Sequence, residues 1–317
     1  MCTSRGLFLS TLIMQSFIKP VISISQQVQQ LKDRGLEVPD AELAERYLMS
    51  IGYYRLSAYC FPFELNKELH TFREGTSVND VLSIYTFDRK LRCLFIEAIE
   101  RIEIHLRAQW VNRLIQTTKD PFAHMDRKNF VEQQKYIKQL SMLLSALAHR
   151  QKEPYVAHFY GKYEEVSPPL WSCVQLLSFG ELHNWVNNTQ DSNLKKEVAK
   201  SFGFPDSNPF LSFIVALIEI RNICAHHGRL WNKSLMKKPE TIRNLATTND
   251  YITSCLPIVP SGKLFEIVLL MINSLRMINP STSWPARLGE LLLELEDWQL
   301  IEMGFPQERE TWKQLIV

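Results

Sequence analysis

Apolar residues recur every three or four positions over much of this 317-residue chain, which is the spacing of one face of an α-helix. The longest stripe covers about five helical turns and consists of Leu91, Leu94, Phe95, Ala98, Ile99, Ile102, Leu106 and Trp110. Ser77 and Asp80, which precede it, have the spacing of a helix-capping box. The pattern therefore predicts a long helix that begins after Ser77 and ends before Asp120-Pro121.

Shorter stripes predict helices along the rest of the chain. They cover about residues 129–149, 170–177, 178–187, 237–247, 264–277 and 286–295. No stretch alternates apolar and polar residues strictly enough for a sheet, and residues 66–76 are predicted to form an exposed loop or a short hairpin. The predicted fold class is therefore all-α.

A further helix is predicted to start at Asp206-Ser207-Asn208-Pro209, and its apolar stripe leads into Arg221 and Asn222. Gly228 is the predicted C-terminal cap, which places His226 and His227 in the last turn. A cation, an amide and imidazoles that titrate near neutral pH suit a phosphate with proton transfer beside it. The alternative is purely structural: Arg221 pairs with a core glutamate, and the amide and histidines stabilise the helix end.

Two features of the surrounding sequence bear on this choice. A lone guanidinium in a core is strongly unfavourable, so Glu100 or Arg101 of the long helix is a candidate to support Arg221. The competing interpretation is that Glu97–Arg101 and Glu103–Arg107 form ordinary surface pairs one turn apart.

The segment from the motif onwards is also basic. It carries a local charge of +5, from Arg221, Arg229, Lys233, Lys237, Lys238 and Arg243 against Glu240. Such a patch can hold a phosphate backbone, although most charge runs are simply solvated surface.

Composition excludes several classes of site. The net charge is only +2, so overall charge does not indicate a nucleic-acid binder. The six cysteines are scattered without a CxxC spacing, which favours reduced thiols in the cytoplasm. No HExxH, nucleotide-phosphate loop or GxSxG elbow occurs, so no metal and no cofactor are predicted. No segment is predicted to be long and apolar enough to span a membrane.

The string Arg221-Asn-Ile-Cys-Ala-His-His-Gly-Arg-Leu-Trp-Asn232 resembles bacterial abortive-infection (Abi, AbiD/AbiF-like) proteins. Within it, Arg221-Asn222-x-x-x-His226 resembles the RNxxxH signature of the HEPN ribonuclease superfamily. Further stretches that resemble the Abi family lie at residues 51–59, 87–92, 98–103, 177–182 and 303–306, so the resemblance covers about residues 18–315. It implies a HEPN-like helical bundle with additional N- and C-terminal helices. It also implies a role in phage defence or a toxin–antitoxin system, through metal-independent RNA cleavage.

The resemblance also assigns roles. His226 would act as acid or base, Arg221 would bind the phosphate, and Asn222 would orient either group, whereas His227 could share the role or only cap the helix. Five residues on an ideal helix rotate by about 140°, so Arg221 and His226 do not share one face. HEPN enzymes build their site from two motif copies, and this chain has one, so a homodimer is implied. Cys224, inside the motif, is interpreted as a small core residue rather than a nucleophile.

Residues 1–14 are predicted to be a non-native or disordered leader, with either Met1 or Met14 as the true start. Residues 15–76 form a predicted N-terminal helical and aromatic segment, packed on a HEPN-like domain at 77–317 in one compact unit. The expected partners are RNA, a second copy of the chain and a small-RNA or protein antitoxin, in the bacterial cytoplasm and away from membranes. Two other functions remain open: a non-catalytic module that binds a structured small RNA, and a protein-interaction scaffold.

Overall fold

The computed structural model describes residues 20–240, 242, 245 and 250–316. Within them the chain forms 15 α-helices and one two-stranded sheet, so the predicted all-α class is confirmed. The predicted leader over residues 1–14, with the choice of start residue, lies outside the described residues. The predicted boundary after residue 76 stays a prediction, as does the single compact unit.

The chain divides into two compact units, Met1–Tyr85 and Thr86–Val317. The elements of the first unit are α1 (Ile24–Asp33), α2 (Ala41–Ile51), α3 (Tyr53–Cys60), β1 (Glu64–Asn66) and β2 (Thr71–Phe72). α2 packs against both α1 and α3. The two strands pair antiparallel, so the hairpin alternative is confirmed, two residues earlier than predicted.

The longest described helix is α4 (Val78–Thr118), whose 41 residues extend over about 60 Å. Its predicted capping box is confirmed, because the Ser77 N–H donates to Asp80 Oδ2 at 2.8 Å and the Asp80 N–H donates to Ser77 Oγ at 3.4 Å. The apolar stripe predicted for α4 is almost entirely buried, and Ile102, Leu106 and Trp110 are fully enclosed.

The remaining helices belong to the second unit. In chain order they are α5 (Gln133–His149), α6 (Pro154–Tyr160), α7 (Leu170–Cys173), α8 (Phe179–Asn188), α9 (Ser192–Lys200), α10 (Ser207–Ala225), α11 (Asp250–Cys255), α12 (Leu264–Ile278), α13 (Trp284–Leu292), α14 (Asp297–Glu302) and α15 (Arg309–Ile316). Every residue of α12 from Leu264 to Leu275 is buried, which is typical of a central helix. α10 packs against α8, α9 and α12.

α10 also corrects one sequence-based prediction. By length and composition alone it is apolar enough to cross a membrane, whereas no such segment was expected. Phe213, Ile214, Leu217 and Ile220 of this helix are fully enclosed by the fold. The core helix of a soluble protein meets the same criterion, so the finding is weak evidence for a membrane span.

The other predicted helices agree with observed ones to within about four residues, with one exception. The helix predicted over 237–247 is wrong for residues 237–240, which are irregular, and most of its remainder lies outside the described residues. Pro239 explains the error, because proline is not tolerated inside a helix. The short helices α6, α9, α11, α14 and α15 were not predicted, since six to nine residues carry too few apolar positions for a clear period.

Candidate functional site

The end of α10 differs from the prediction in its backbone geometry. The helix ends at Ala225, His226 is the capping residue, and His227 has a left-handed backbone with φ of 58°. The His227 N–H donates to the Cys224 carbonyl at 3.0 Å, and the Gly228 N–H donates to the Ile223 carbonyl at 2.7 Å. These two bonds form a Schellman motif, with His227 at the position that glycine usually occupies. The prediction of Gly228 as the cap is therefore wrong by two residues.

Gly228 is needed for a different reason. A Cβ on this residue would lie 3.2 Å from Ile223 Cγ2 and 3.3 Å from the Ile223 carbonyl oxygen. Its lack of a side chain lets the chain pass close to the last turn of α10. The glycine thus fixes the direction in which residues 228–231 leave the helix.

Arg221 and Asn222 lie in the last turn of α10, where Arg221 is partly exposed and Asn222 is exposed. Arg221 Nη1 donates to Asn222 Oδ1 at 3.3 Å. Among the described residues, no carboxylate forms an ion pair with Arg221. The described part of the chain therefore does not show the structural alternative, in which a core glutamate neutralises this arginine.

The structure does not bring Glu100 or Arg101 to Arg221. Arg101 Nη2 binds Glu97 Oε1 at 2.6 Å, and Glu100 is exposed without an ion pair in the described residues. The surface-pair interpretation is confirmed for Glu97–Arg101. Glu100 or Arg101 was predicted to support Arg221 on the assumption that Arg221 is buried. This arginine is partly hydrated, so it needs no buried partner.

His226 and His227 are both exposed, at the point where the chain turns away from α10. The helix end therefore presents a guanidinium, an amide and two imidazoles to solvent within seven residues. A phosphate that approaches this end can meet a cation and groups that exchange protons.

The basic residues that follow are mostly at the surface. Lys233, Lys237 and Lys238 are exposed and Arg229 is partly buried, whereas Arg243 lies outside the described residues.

Glu219 ties part of this segment to α10, since its carboxylate accepts the Met236 N–H at 3.1 Å and the Lys237 N–H at 2.8 Å. The segment that carries the lysines is thus attached to Glu219, two residues before Arg221, although no distance between the lysines and the motif follows from these bonds.

Sequence reasoning missed a buried pair on α4 that holds the chain just after the motif. Asp88 is fully enclosed, and its Oδ1 accepts the Leu230 N–H at 3.0 Å and the Trp231 N–H at 2.6 Å. Its Oδ2 forms an ion pair with Arg92, and Arg92 Nη1 donates to the Gly228 carbonyl at 3.2 Å. Asp88 and Arg92 therefore clamp residues 228–231 from inside the protein.

A sequence signal for this clamp was present. Asp88 lies three residues before Leu91 and Arg92 three residues before Phe95 of the apolar stripe, so helical spacing puts both towards its buried face. A buried charge is strongly unfavourable unless an opposite charge lies beside it, so these two positions predict an ion pair. What the sequence did not supply is the identity of the backbone groups that the carboxylate binds.

Cys224 lies inside the motif but is only 5% exposed. Burial raises the pKa of its thiol to about 12, with a further contribution from the Asp88 carboxylate. The thiol is therefore protonated at neutral pH and a poor nucleophile.

Among the described residues, no group of three or more His, Cys, Asp or Glu side chains is placed to hold a metal ion. The candidate site consists of the side chains of Arg221, Asn222, His226 and His227.

These features define a class: a mainly α-helical protein in which one core helix ends in a solvent-facing Arg-Asn-His cluster, and a buried Asp–Arg clamp holds the chain just after that cluster. The sequence model of the Abi-like protein family matches residues 46–232, more than half of the chain, and the match includes both clamp and cluster. The chain therefore belongs to the Abi-like protein family, which suggests a role in abortive infection. No curated protein and no solved structure matches it.

Proposed function

We propose that this protein is a metal-independent endoribonuclease of the HEPN type that acts in abortive infection or as a toxin in phage defence. The observation that carries the proposal is the solvent-facing Arg221 with Asn222 and two histidines at one helix end. In the described residues Arg221 has no carboxylate partner. An arginine buried in the core would need a carboxylate partner, whereas the partly hydrated Arg221 keeps its charge available for a phosphate.

The proposed reaction is transesterification within the RNA strand. A base removes the proton of a 2′-OH, the 2′-oxygen forms a bond to phosphorus, and the bond from phosphorus to the 5′-oxygen breaks. An acid protonates the leaving 5′-oxygen, so the products are a 2′,3′-cyclic phosphate and a 5′-OH. His226 serves as the base or the acid, Arg221 binds the non-bridging oxygens, and Asn222 orients either the histidine or the phosphate.

A second copy of the chain completes this mechanism. Arg221 and His226 do not lie on one face of a regular helix, and one imidazole cannot be base and acid in the same step. Each chain contains one Arg-Asn-x-x-x-His motif, so a homodimer would supply two of each group. We place the protein in the bacterial cytoplasm, where its free cysteines stay reduced.

The test is cleavage of total cellular RNA by purified protein in EDTA. Wild type should cleave, and Arg221→Ala and His226→Ala should each lose at least about a hundredfold in rate, the loss typical of a general acid or base. Arg127→Ala, at an exposed arginine in an unrelated 3-10 turn, is the matched control and should keep full activity. Circular dichroism checks that all variants stay folded.

The chemistry of the RNA product ends tests the transesterification, and the mass of the protein particle tests the homodimer. Cyclic-phosphate and 5′-OH ends support transesterification, and mass photometry at the assay concentration should give the mass of two chains. Equal cleavage by wild type and both site variants would refute the proposal and point to a contaminating nuclease.

The second candidate is a non-catalytic RNA-binding module, and the exposed Lys233, Lys237 and Lys238 favour it. Its signature is salt-sensitive binding of a structured small RNA without cleavage, which is weakened by Lys237→Gln with Lys238→Gln. Such an RNA could equally be an antitoxin that keeps a nuclease silent. A scaffold that only binds proteins would show neither RNA binding nor cleavage.

A further inference from the structure

A cavity of about 380 Å³ opens in the second unit, away from the Arg-Asn-His motif, between α5, α8 and α9. Its volume lies within the range of about 300–1,000 Å³ that small-molecule sites occupy. The apolar part of its lining consists of Val131, Met142, Leu177 and Trp185. The rest of the lining is polar and consists mainly of amides and lysines.

A chain of amides fixes the orientation of one lining group, Gln139. The Glu132 N–H donates to Asn188 Oδ1 at 2.9 Å, so the other end of the Asn188 amide is its NH₂. That NH₂ donates to the Glu132 carbonyl and to Gln139 Oε1, both at 3.2 Å. Because the Gln139 oxygen faces Asn188, its Nε2 is the group left over.

The Gln139 side chain therefore presents an unused donor. The residue is only 9% exposed, it lines the cavity, and its Nε2 has no acceptor in the described part of the chain. This Nε2 is therefore available to donate to an acceptor on a molecule bound in the cavity.

The charged groups of the lining also favour a ligand that carries negative charge. Of the two carboxylates, Glu132 binds Lys135 at 2.5 Å, and Glu181 accepts the Ser178 N–H at 2.7 Å. Both carboxylates thus have partners, whereas, among the described residues, two of the three lysines in the lining have no carboxylate bound to them.

Lys138 has neither an ion pair nor a hydrogen bond in the described residues, and Lys195 Nζ makes one long bond of 3.4 Å to the Asn187 carbonyl. Burial lowers the pKa of the Lys195 ammonium, and the nearby Asp191 carboxylate opposes that shift. A partly desolvated ammonium without a bound carboxylate gains from an anion. The two lysines and the Gln139 NH₂ therefore offer cations and a donor to an anion in the cavity.

We infer that this cavity binds a nucleotide, with its phosphate at Lys138, Lys195 and Gln139 Nε2. The cavity is larger than a phosphate alone, and the apolar part of its lining, which includes Trp185, suits a planar base. The exposed amides of Asn184 and Asn187 can pair with the donors and acceptors at the edge of that base. The nucleotide is either free or at the end of an RNA strand, and both sources present the same phosphate and base.

The inference does not depend on ribonuclease activity, because its readout is binding at a place other than the motif. Isothermal titration calorimetry of the full chain would use AMP as the probe, with adenosine and inorganic phosphate as its two halves. AMP should bind at least tenfold more tightly than either half. The double variant Lys138→Gln with Lys195→Gln should weaken AMP binding at least tenfold.

Lys196→Gln is the matched control, because Lys196 is the next residue of α9, is exposed and does not line the cavity. It should bind AMP as wild type does. A 5′-phosphorylated tetranucleotide RNA, measured on Arg221→Ala protein so that it cannot be cleaved at the motif, tests the second source. Binding of the tetranucleotide alone, lost in the double lysine variant, would assign the site to RNA ends.

Two results would overturn the inference. One is the absence of binding by both AMP and the tetranucleotide at millimolar concentration. The other is binding that the double lysine variant leaves unchanged. Binding that survives Arg221→Ala but not the lysine changes supports the cavity and is unaffected by the outcome of the cleavage assay.

Discussion

The side chains of the motif reach solvent through different backbone conformations. Arg221 and Asn222 project from the last helical turn, His226 from the cap and His227 from a left-handed residue. Their identities and spacing were readable in the sequence. The cap was not, because the rule that places glycine at a helix end ignores the close approach of the backbone to Ile223 that makes Gly228 necessary.

His227 leads to a prediction that separates the two histidines. A left-handed conformation is unfavourable for residues with a Cβ, so His227→Gly should stabilise the fold by up to about 1 kcal/mol. If His226 carries the chemistry, this variant should also retain RNA cleavage. Urea unfolding and the cleavage assay measure the two effects on one preparation.

Lys119→Gly is the matched control for the backbone effect. Lys119 has φ of 56°, is exposed, and follows α4 far along the chain from the motif. A similar gain in stability in both variants supports the backbone explanation. Lost cleavage in His227→Gly alone would assign His227 to the reaction.

At the scale of elements, the clamp from α4 determines where the chain goes after the motif. Asp88→Ala would leave the Arg92 guanidinium buried without its carboxylate and two backbone N–H groups without an acceptor. We expect a loss of about 3–5 kcal/mol in the free energy of unfolding. Urea titration of the purified variant measures this directly.

Glu97→Ala provides the comparison on the same helix. Glu97 pairs with Arg101 and Arg287, but all three side chains are between about a third and two fifths exposed. Water screens such pairs, so we expect a loss of about 1 kcal/mol or less. Equal losses in the two variants would contradict a special role for the buried clamp.

The long elements were predictable because their apolar period persists over many turns. α4 and α10 begin where their caps predicted, and α12 matches its stripe almost residue for residue. The helices α6, α9, α11, α14 and α15 were missed, since helices this short depend on packing more than on their own pattern. The Asp88–Arg92 spacing is visible in the sequence, but the backbone groups that Asp88 binds lie about 140 positions away, and such a long-range contact leaves no local trace.

At the scale of the whole molecule, stability should depend on pH through buried histidines. Burial lowers the pKa of His124 from its ordinary 6.5 to about 4, and burial also lowers the pKa of His105 and of His183. Between about pH 6.5 and 4 the unfolded chain binds protons that the folded chain excludes. Stability should therefore fall as the pH falls through this window, by about 3 kcal/mol for His124.

His124→Gln tests this prediction. The glutamine NH₂ can replace His124 Nε2 at Ser167 Oγ, which lies 2.9 Å away, and it does not titrate. Urea unfolding at several pH values should give a shallower pH dependence in this variant, with the contribution of the other histidines remaining. His158→Gln, at an exposed histidine, should keep the wild-type dependence, and an unchanged dependence in His124→Gln would refute the prediction.

Because Cys224 is buried, alkylation of its thiol can measure local opening of the chain at the candidate site. A thiol-specific alkylating reagent needs an accessible thiolate, and Cys224 offers neither while the end of α10 stays closed. Cys93 is exposed on α4, so its alkylation rate is the reference for the reactivity of the reagent in the same sample. The ratio of the two alkylation rates converts into the free energy of local opening around the motif. A bound RNA, dimer partner or antitoxin that orders the helix end would slow Cys224 alone, so occupancy of the site can be followed without a turnover assay.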